Sequence, residues 1–576
     1  VCVFVNPKDE RYKKFVGKKV IVPLYNFEVE VLTDEKASID KGTGVVMCCT
    51  YGDETDLFWQ EKYKLPRKIA IDDGGRMTAL SGKYVGMKTK VARSAIVEDL
   101  KQAGLLIKQE PIVHAVATHE RCGTPMEINI KKQWFIKLVE HKDEFLKRGN
   151  EINWYPEFMK SRYTNWVENV DRDWCISRQR YFGVPIPVWY CEDCGEIILP
   201  DDDQLPVNPL IDKPKHACPK CGSQHFKPET DIFDTWQTSS ITPQLNCRWK
   251  TDDQFYNKMM PMSLRPNAHD IIRTWDFYTI AKSHFHSDCL PWNNVMVSGF
   301  VMANKDEKIS KSKSNAKMSP EILLKEKSAD ITRYWAATGS LGRDIIFSDE
   351  EFKNGAKLVN KIWNASRFVI SLLDGYSPKD IELKPMDEWV IAKFNDMFDK
   401  FKDYFEKYEI GLAMGELEKF FWNFCDNYIE IVKRRLYNPD IFGQEATDSA
   451  KFASYNVLLG MLKLFAIYLP HMTEEIYQSY FREFEKTKSI HLCEIGKINK
   501  QTSKDVIIGG DEAVQIVSKI RQFKSENNLS LKEELEKVRL IGFGDFVSKI
   551  DYDLKAVGSI RNLEFADGEK DIIIEK

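Results

Sequence analysis

Apolar residues in the C-terminal half of the chain recur at the spacing of one helical face: Leu417, Phe420, Phe421, Phe424, Tyr428, Ile431 and Val432. Steps of three and four residues put all seven side chains on one stripe, and such a stripe needs a partner surface. A similar stretch covers residues 457–469 and stops at Pro470. The pattern predicts a helical bundle over residues 351–495, packed on its own core. Residues 496–576 read as a small α/β tail. It has a helix from Asp511 to about Lys524, a turn at Asn527-Asn528, and strand-like runs at 538–543 and 571–575.

The N-terminal part has a shorter period. Residues 1–110 alternate brief β-rich runs (1–5, 19–23, 44–49) with glycine turns and one helix-like stretch ending near Leu106, which predicts a β-rich module. Residues 111–190 are mixed and rich in aromatics, among them Trp134, Trp154, Trp166 and Trp174. Residues 231–350 alternate helix-like and strand-like segments, as a parallel α/β sheet requires. One apolar run, 295–302, leads through the polar turn 304–307 into Lys308-Ile309-Ser310-Lys311-Ser312.

Composition narrows this only a little. With 576 residues, several domains are expected, because single cores stop growing well below that size. The net charge of −4 gives no bulk basic signature, so any contact with nucleic acid must come from local patches. No apolar run reaches the length of a membrane span, which argues against a membrane partner. Thirteen cysteines are too sparse for a disulfide scaffold of this length, which implies a reducing, cytoplasmic location.

Two clusters carry chemistry. Lys308 and Lys311, with Ser310 between them, can bring two mobile ammonium groups onto one polyphosphate. Ammonium is a compact point charge able to stabilise charge that builds up in nucleotidyl transfer. A solvated Lys/Ser-rich turn reads the same way in isolation. The second cluster is Cys191-x-x-Cys194 and Cys218-x-x-Cys221, separated by 23 residues, with Gly195 and Gly222 after each pair. Two such turns fit one tetrahedral Zn²⁺, structural because four thiolates close its shell. A disulfide oxidoreductase needs only one pair. His216 and His225 read as bystanders.

Several stretches resemble one family. The Lys308–Ser312 loop resembles the KMSKS loop of class I aminoacyl-tRNA synthetases, with Ile309 in place of Met. Asp173-Trp174-Cys175-Ile176-Ser177-Arg178-Gln179-Arg180, followed by Pro185-Ile186-Pro187, resembles the segment re-entering the catalytic domain in valyl, isoleucyl and leucyl enzymes. Asp234-Thr235-Trp236 with Ser239-Ser240 resembles the valyl version of its stretch. Ala268-His269-Asp270-Ile271-Ile272-Arg273-Thr274-Trp275 resembles the strand–helix junction that meets the ATP ribose. Residues 329–335 resemble the helix after the lysine loop, residues 470–476 a mark of the anticodon domain, and residues 41–47 with Asp53 and Asp56 the editing insert. Taken together, the chain resembles the valyl-tRNA synthetases, in style the archaeal or eukaryotic-like forms.

That resemblance implies an α/β multidomain fold. Residues 1–110 would be the C-terminal part of a β-rich editing insert. Residues 111–350 would be the second half of a Rossmann-like catalytic domain, with a zinc ribbon at 188–228 and the KMSKS-like loop at 304–315. An α-helical anticodon-binding bundle (351–495) and the small α/β tail (496–576) would follow. The implied reaction is ATP-dependent activation of valine, with Mg²⁺ accompanying ATP, and transfer to tRNA(Val), with hydrolytic editing of mischarged tRNA. Lys308, Ser310 and Lys311 would be catalytic, and Lys311, His269, Asp270 and Gly299 would bind ATP. Asp234, Trp236 and Trp275 would line the amino-acid pocket, and Asp53 and Asp56 would serve editing.

Each assignment has a plainer alternative. Asp53, Asp56, Asp234 and Asp270 could cap helices, the tryptophans could be core, and Lys433-Arg434-Arg435 could answer a helix dipole rather than tRNA phosphate. None of the ten histidines stands in the family's His-x-Gly-His turn. The resemblance places that turn before residue 1. The chain is therefore expected to be an N-terminally truncated fragment and a poor enzyme alone, unless the missing half comes as a separate chain. Valine against isoleucine rests mainly on residues 234–236. A non-catalytic tRNA-binding fragment and a zinc-ribbon structural or interaction protein are the other function classes.

Overall fold

The computed structural model describes residues 1–111, 113, 116, 118–119, 123–128, 130–309, 320–376, 381–500 and 504–576. The chain divides into two compact units, Val1–Trp134 and Phe135–Lys576.

The first unit is built on a four-stranded sheet in the order Lys19–Ile21, Glu28–Thr33, Cys2–Val5, Val45–Cys48. Cys2–Val5 runs parallel to Glu28–Thr33 and antiparallel to Val45–Cys48. Its core is the stack of Phe4 on Trp59, ring centroids 4.2 Å apart, closed by Cys2, Ala37 and Cys48. Two helices accompany the sheet, Glu54–Tyr63 and Thr89–Gln102. Of the first, the sequence showed only the helix-cap alternative at Asp53 and Asp56, because the helix buries just Asp56, Trp59 and Gln60, too few positions to write a periodic stripe.

In the second unit, a parallel sheet has the order Met262–Ala268, Trp292–Ser298, Asn153–Tyr155. Helix Phe277–Ser287 makes the crossover between the first two of these strands, as a βαβ unit demands. A smaller sheet holds Val301–Asn304 between antiparallel Glu307–Lys308 and parallel Ile345–Ile346. The cysteine pairs lie on a separate three-stranded ribbon, Ile197–Ile198, Trp189–Cys191, Phe226–Pro228.

The helices that follow include Asp349–Leu372, Pro385–Glu406, Ile410–Asn423, Ile429–Tyr437 and Gln444–Phe465. All seven residues of the stripe that starts at Leu417 are buried. A π-helical turn over Phe424–Tyr428 joins its two halves without breaking the stripe. In the tail, helix Lys504–Glu526 precedes a sheet of Leu535–Ile541 flanked by parallel Ile560–Ala566 and antiparallel Asp571–Glu575.

Two expectations need correction. The bundle does not pack on a core of its own: Ala513, Ile516, Ile520, Val538 and Leu554 belong to the same buried cluster as Trp389, Leu417 and Leu462. Helix Lys504–Glu526 lies close enough that a Cβ on Gly510 would overlap the Trp389 ring, and the indole Nε1 of Trp389 donates to Asp511 at 3.0 Å. Packing therefore does not break at residue 495. The first unit also runs past 110, to Trp134.

Candidate nucleotide site, metal centre and flanking carboxylates

The parallel strands end side by side, Ala268 paired with Ser298. In open α/β sheets, ligands bind just beyond such carboxyl ends. Here the next residues are His269 and Asp270 on one side, Gly299 and Phe300 on the other. A Cβ at Gly299 would overlap the backbone of Arg343 and Asp344, so only glycine lets that segment close in. Asp344 then accepts from the Phe300 N–H at 2.7 Å and lies 3.6 Å from His269 Nε2. Arg162 stands 3.4 Å from His269 Nδ1.

Lys308 belongs to this group. Its ammonium lies 3.3 Å from the Phe300 ring centroid and 3.6 Å from the half-exposed Asp270 carboxylate, while His269 packs on the same ring at 4.3 Å. Three residues singled out from sequence, His269, Asp270 and Lys308, thus meet around Phe300, with Gly299 next to it. Ser310 and Lys311 lie outside the described residues. Asp270 caps no helix through its side chain, since the chain passes through a 3₁₀ turn, His269–Ile271, without such a bond.

A second group lies nearby in sequence. Asp234 does cap a helix, accepting from the Trp236 N–H at 3.2 Å at the start of Thr235–Ser239. Its other oxygen is 3.3 Å from Arg178. Trp236 is half-exposed at 37%. Lys282, buried and lowered by that burial to about 8, donates to the Gln237 carbonyl at 2.8 Å and holds the short helix. Trp275 is buried, stacked on Trp292 at 5.3 Å with the Arg265 guanidinium 3.9 Å over its ring.

The sequence reading missed Asp276. It is fully buried, and burial pushes its carboxyl up to about 7 against the opposing pull of a 3.0 Å bond from Asn267 Nδ2 and the Arg265 charge. It thereby ties the π-helical turn Ile272–Asp276 to the end of the first parallel strand. Asp344 was also invisible beforehand, because only the strand pairing of Ile345–Ile346 brings it here.

The four ribbon cysteines converge: their sulfurs all lie within 4.8 Å of one another, with Cys191–Cys221 at 3.5 Å and Cys194–Cys218 at 3.6 Å. Bonds of about 2.3 Å to one tetrahedral Zn²⁺ require sulfur–sulfur edges of about 3.8 Å, so the donor set fits that ion. The two turns are matched. Gly195 donates to the Cys191 carbonyl at 2.9 Å and Gly222 to the Cys218 carbonyl at 2.8 Å, both glycines at positive φ. Burial raises the Cys191 thiol, but N–H groups of Cys194 and Asp193 outweigh it and bring it to about 7. Against the pull of the Glu196 and Ser223 N–H groups, burial and the crowding of the thiols raise Cys194 and push Cys221 up to about 12. His216 and His225 pair with Asp201 and Asp193 and add no ligand.

In the first unit, Asp53 is the cap of helix Glu54–Tyr63, accepting from the Asp56 N–H at 2.9 Å. Asp56 is buried and accepts from the Gly52 N–H at 3.1 Å. Burial, with the neighbouring Asp53 charge in support, raises its carboxyl above the ordinary value despite hydrogen bonds from Cys48 and the backbone.

Among known proteins, the family described as tRNA synthetases class I (I, L, M and V) matches residues 14–348, and the anticodon-binding domain of tRNA ligase matches residues 387–540. The chain is 41% identical to the valine--tRNA ligase of Rickettsia conorii over 98% of its own length and 71% of that protein's. It is 40% identical to the Rickettsia felis valine--tRNA ligase, over 99% of this chain and 68% of the relative. A solved ternary complex of the Agrobacterium radiobacter K84 agnB2 LeuRS aligns with 83% of this chain and 56% of that chain, at TM-score 0.44 and 16% identity. With both domains matched in order and identity sustained over nearly its whole length, the chain belongs to the class I aminoacyl-tRNA synthetases, among the valine--tRNA ligases.

Proposed function

We propose that this chain takes part in the ATP-dependent activation of valine and its transfer to tRNA(Val). The observation that carries this most directly is the meeting of His269, Asp270 and Lys308 around Phe300 at the carboxyl ends of two parallel strands. Asp270, half-exposed there, can accept from ribose hydroxyls, and Gly299 lets the Arg343–Asp344 segment close on the strand end. Lys308, with Lys311 and Ser310, would meet the oxygens of the triphosphate that Mg²⁺ accompanies. Valine carboxylate would attack the α-phosphate, pyrophosphate would leave, and the acyl group would pass to a tRNA 3′-terminal hydroxyl. No side chain needs to form a covalent intermediate, so positioning and electrostatics carry the rate.

Asp234 is suited to accept from the substrate ammonium, its carboxylate held by Arg178 and the helix it caps. Trp236 and Trp275 belong to the same pocket reading, Trp236 as an accessible wall and Trp275 as a buried support. Bound Zn²⁺ would fix the ribbon through Cys191, Cys194, Cys218 and Cys221 and take no part in the chemistry.

A hydrophobic pocket rejects isosteric threonine poorly, which gives the first unit its role. Asp56, with Asp53 fixing the helix beneath it, would hold the α-ammonium of a mischarged amino acid while water attacks the ester.

Charging tests the reading. Joined to the His-x-Gly-His segment of a relative, which this sequence does not contain, the chain should place valine on valine tRNA. Asp56→Ala should leave that rate and release threonyl-tRNA slowly. Failure to charge with valine while another amino acid is charged would overturn the reading.

A further inference from the structure

We infer that Lys282 is a positioning residue for the amino-acid pocket, fixing the gap between Trp236 and Trp275 and with it the choice among aliphatic side chains. This deepens the valine reading above and rests on it.

Trp236 stands on helix Thr235–Ser239, whose five residues are too few to hold a helix by themselves. Its start is secured. Asp234 donates its N–H to the Ile176 carbonyl at 2.7 Å, Ile232–Phe233 pairs with Ser177–Arg178, and the Asp234 carboxylate caps the Trp236 N–H. At its far end a helix leaves carbonyls without intrahelical partners. Ser240 meets the Trp236 carbonyl through its N–H at 2.9 Å and through its hydroxyl. The next carbonyl, that of Gln237, accepts from Lys282 Nζ at 2.8 Å. A cation at that end also suits the helix dipole.

Lys282 reaches across from the other side of the pocket. Helix Phe277–Ser287 continues directly from the π-helical turn Ile272–Asp276, which carries Trp275, and the short helix packs on that turn. Four residues before Lys282 and on the same helix face, Tyr278 stacks on Trp174, ring centroids 3.8 Å apart. The Lys282–Gln237 bond therefore ties the backbone bearing Trp236 to the helix headed by Trp275. Trp275 is already held between the Trp292 ring and the Arg265 guanidinium, so the short helix is the wall that can yield.

Stability alone does not account for a lysine here. Lys282 is 5% exposed and, among the described residues, forms no ion pair, so its charge is buried at a cost. Methionine, apolar and also unbranched, would relieve that cost. Holding Trp236 in place requires a donor instead.

The test compares Lys282→Met with Lys282→Arg in two settings. One is amino-acid-dependent pyrophosphate exchange by the chain joined to the His-x-Gly-His segment of a relative. The other is hydrogen exchange in this 576-residue chain itself. In Lys282→Met the KM for valine should rise and the preference for valine over isoleucine should fall by about tenfold, the scale of one methylene in an apolar pocket. The kcat should stay near the parent's, because His269, Asp270 and Lys308 at the strand ends are untouched. The Ser240 amide should exchange faster, while the melting midpoint equals or exceeds the parent's. Lys282→Arg, which keeps a cationic donor, should recover both the preference and the slow amide. Valine activation by the parent, with parent-like KM and preference in Lys282→Met, would overturn this inference alone. So would a loss of preference that Lys282→Arg does not restore, or one that comes with a lowered melting midpoint. A parent that does not activate valine would overturn the pocket reading and this inference with it.

Discussion

Two of the partners of Lys308, Phe300 and Asp270, hold it weakly. A cation–π contact at a half-exposed site contributes about 0.5–1 kcal/mol, and an exposed ion pair about 0–1 kcal/mol. Phe300 and Asp270 therefore keep the ammonium near the strand ends without preventing its transfer to a phosphate. In the chain joined to the His-x-Gly-His segment of a relative, Lys308→Ala or Lys311→Ala should lower kcat for adenylate formation by roughly 10²-fold with little change in KM for valine, because the charge matters most as pyrophosphate develops. Lys313→Ala should cost several-fold at most, and equal effects at 311 and 313 would contradict the lysine assignment. At Gly299 the constraint is steric. Gly299→Ala should destabilise the fold by about 1–3 kcal/mol, as overpacking does, visible as a lower denaturant midpoint. Lys308 was legible in sequence because two lysines and a hydroxyl residue follow an apolar run. Its ring partner Phe300 and the neighbouring Asp344 were not, since a strand pairing closed between distant segments writes no local signal.

Among the elements, the four-cysteine ribbon was the most legible and is the least able to stand alone. Its buried cluster is small, Trp189, Ile198 and Val207 beside the cysteines themselves. A core of that size offsets little of the entropy of ordering its loops, and a metal held by the four sulfurs would supply the difference. Purified protein should carry close to one zinc per chain by elemental analysis, and Cys191→Ser should lower that content and expose the ribbon to proteolysis. Full zinc retention in the variant would contradict the four-sulfur site. Helix Glu54–Tyr63, legible only through its cap, and strand Ile560–Ala566, not foreseen, were hidden for opposite reasons. The helix buries too few apolar positions to show a period, whereas the strand pairs along one edge only and buries a single residue, with Arg561, Asn562 and Glu564 interrupting its apolar run. The bundle stripe was readable because seven apolar residues repeat without interruption, even across a π-helical turn.

Arg435 shows why the bundle and tail behave as one body. It is fully buried and donates to Asp387 at 2.9 and 3.0 Å and to Asp553 at 2.9 Å, joining bundle helices to the tail. Burial excludes the tRNA-phosphate reading for this residue, which stands in the last turn of Ile429–Tyr437 as the helix-dipole reading has it, and Arg434 beside it is exposed. Removing one partner of a buried ion pair costs about 3–5 kcal/mol, so Arg435→Ala should unfold bundle and tail together. Burial pushes the Asp553 carboxyl up to about 7 against the attraction of Arg435, with Asp387 and Asp551 adding to the rise. Above about pH 4 the unfolded chain has released that proton while the folded chain still holds it. The contribution is therefore complete below that pH and is lost as pH rises through about 7. Asp553→Asn should flatten the fall in thermal midpoint between those limits; an unchanged slope would contradict this linkage.

The account's central claim is valine activation at the strand-end site, and pyrophosphate exchange into ATP measures it without tRNA. With the chain joined to the His-x-Gly-His segment of a relative, valine should drive exchange and isoleucine should not, because the claim places a small aliphatic side chain between Asp234, Trp236 and Trp275. Isoleucine-dependent exchange matching that with valine, or exchange unaffected by loss of both Lys308 and Lys311, would contradict it.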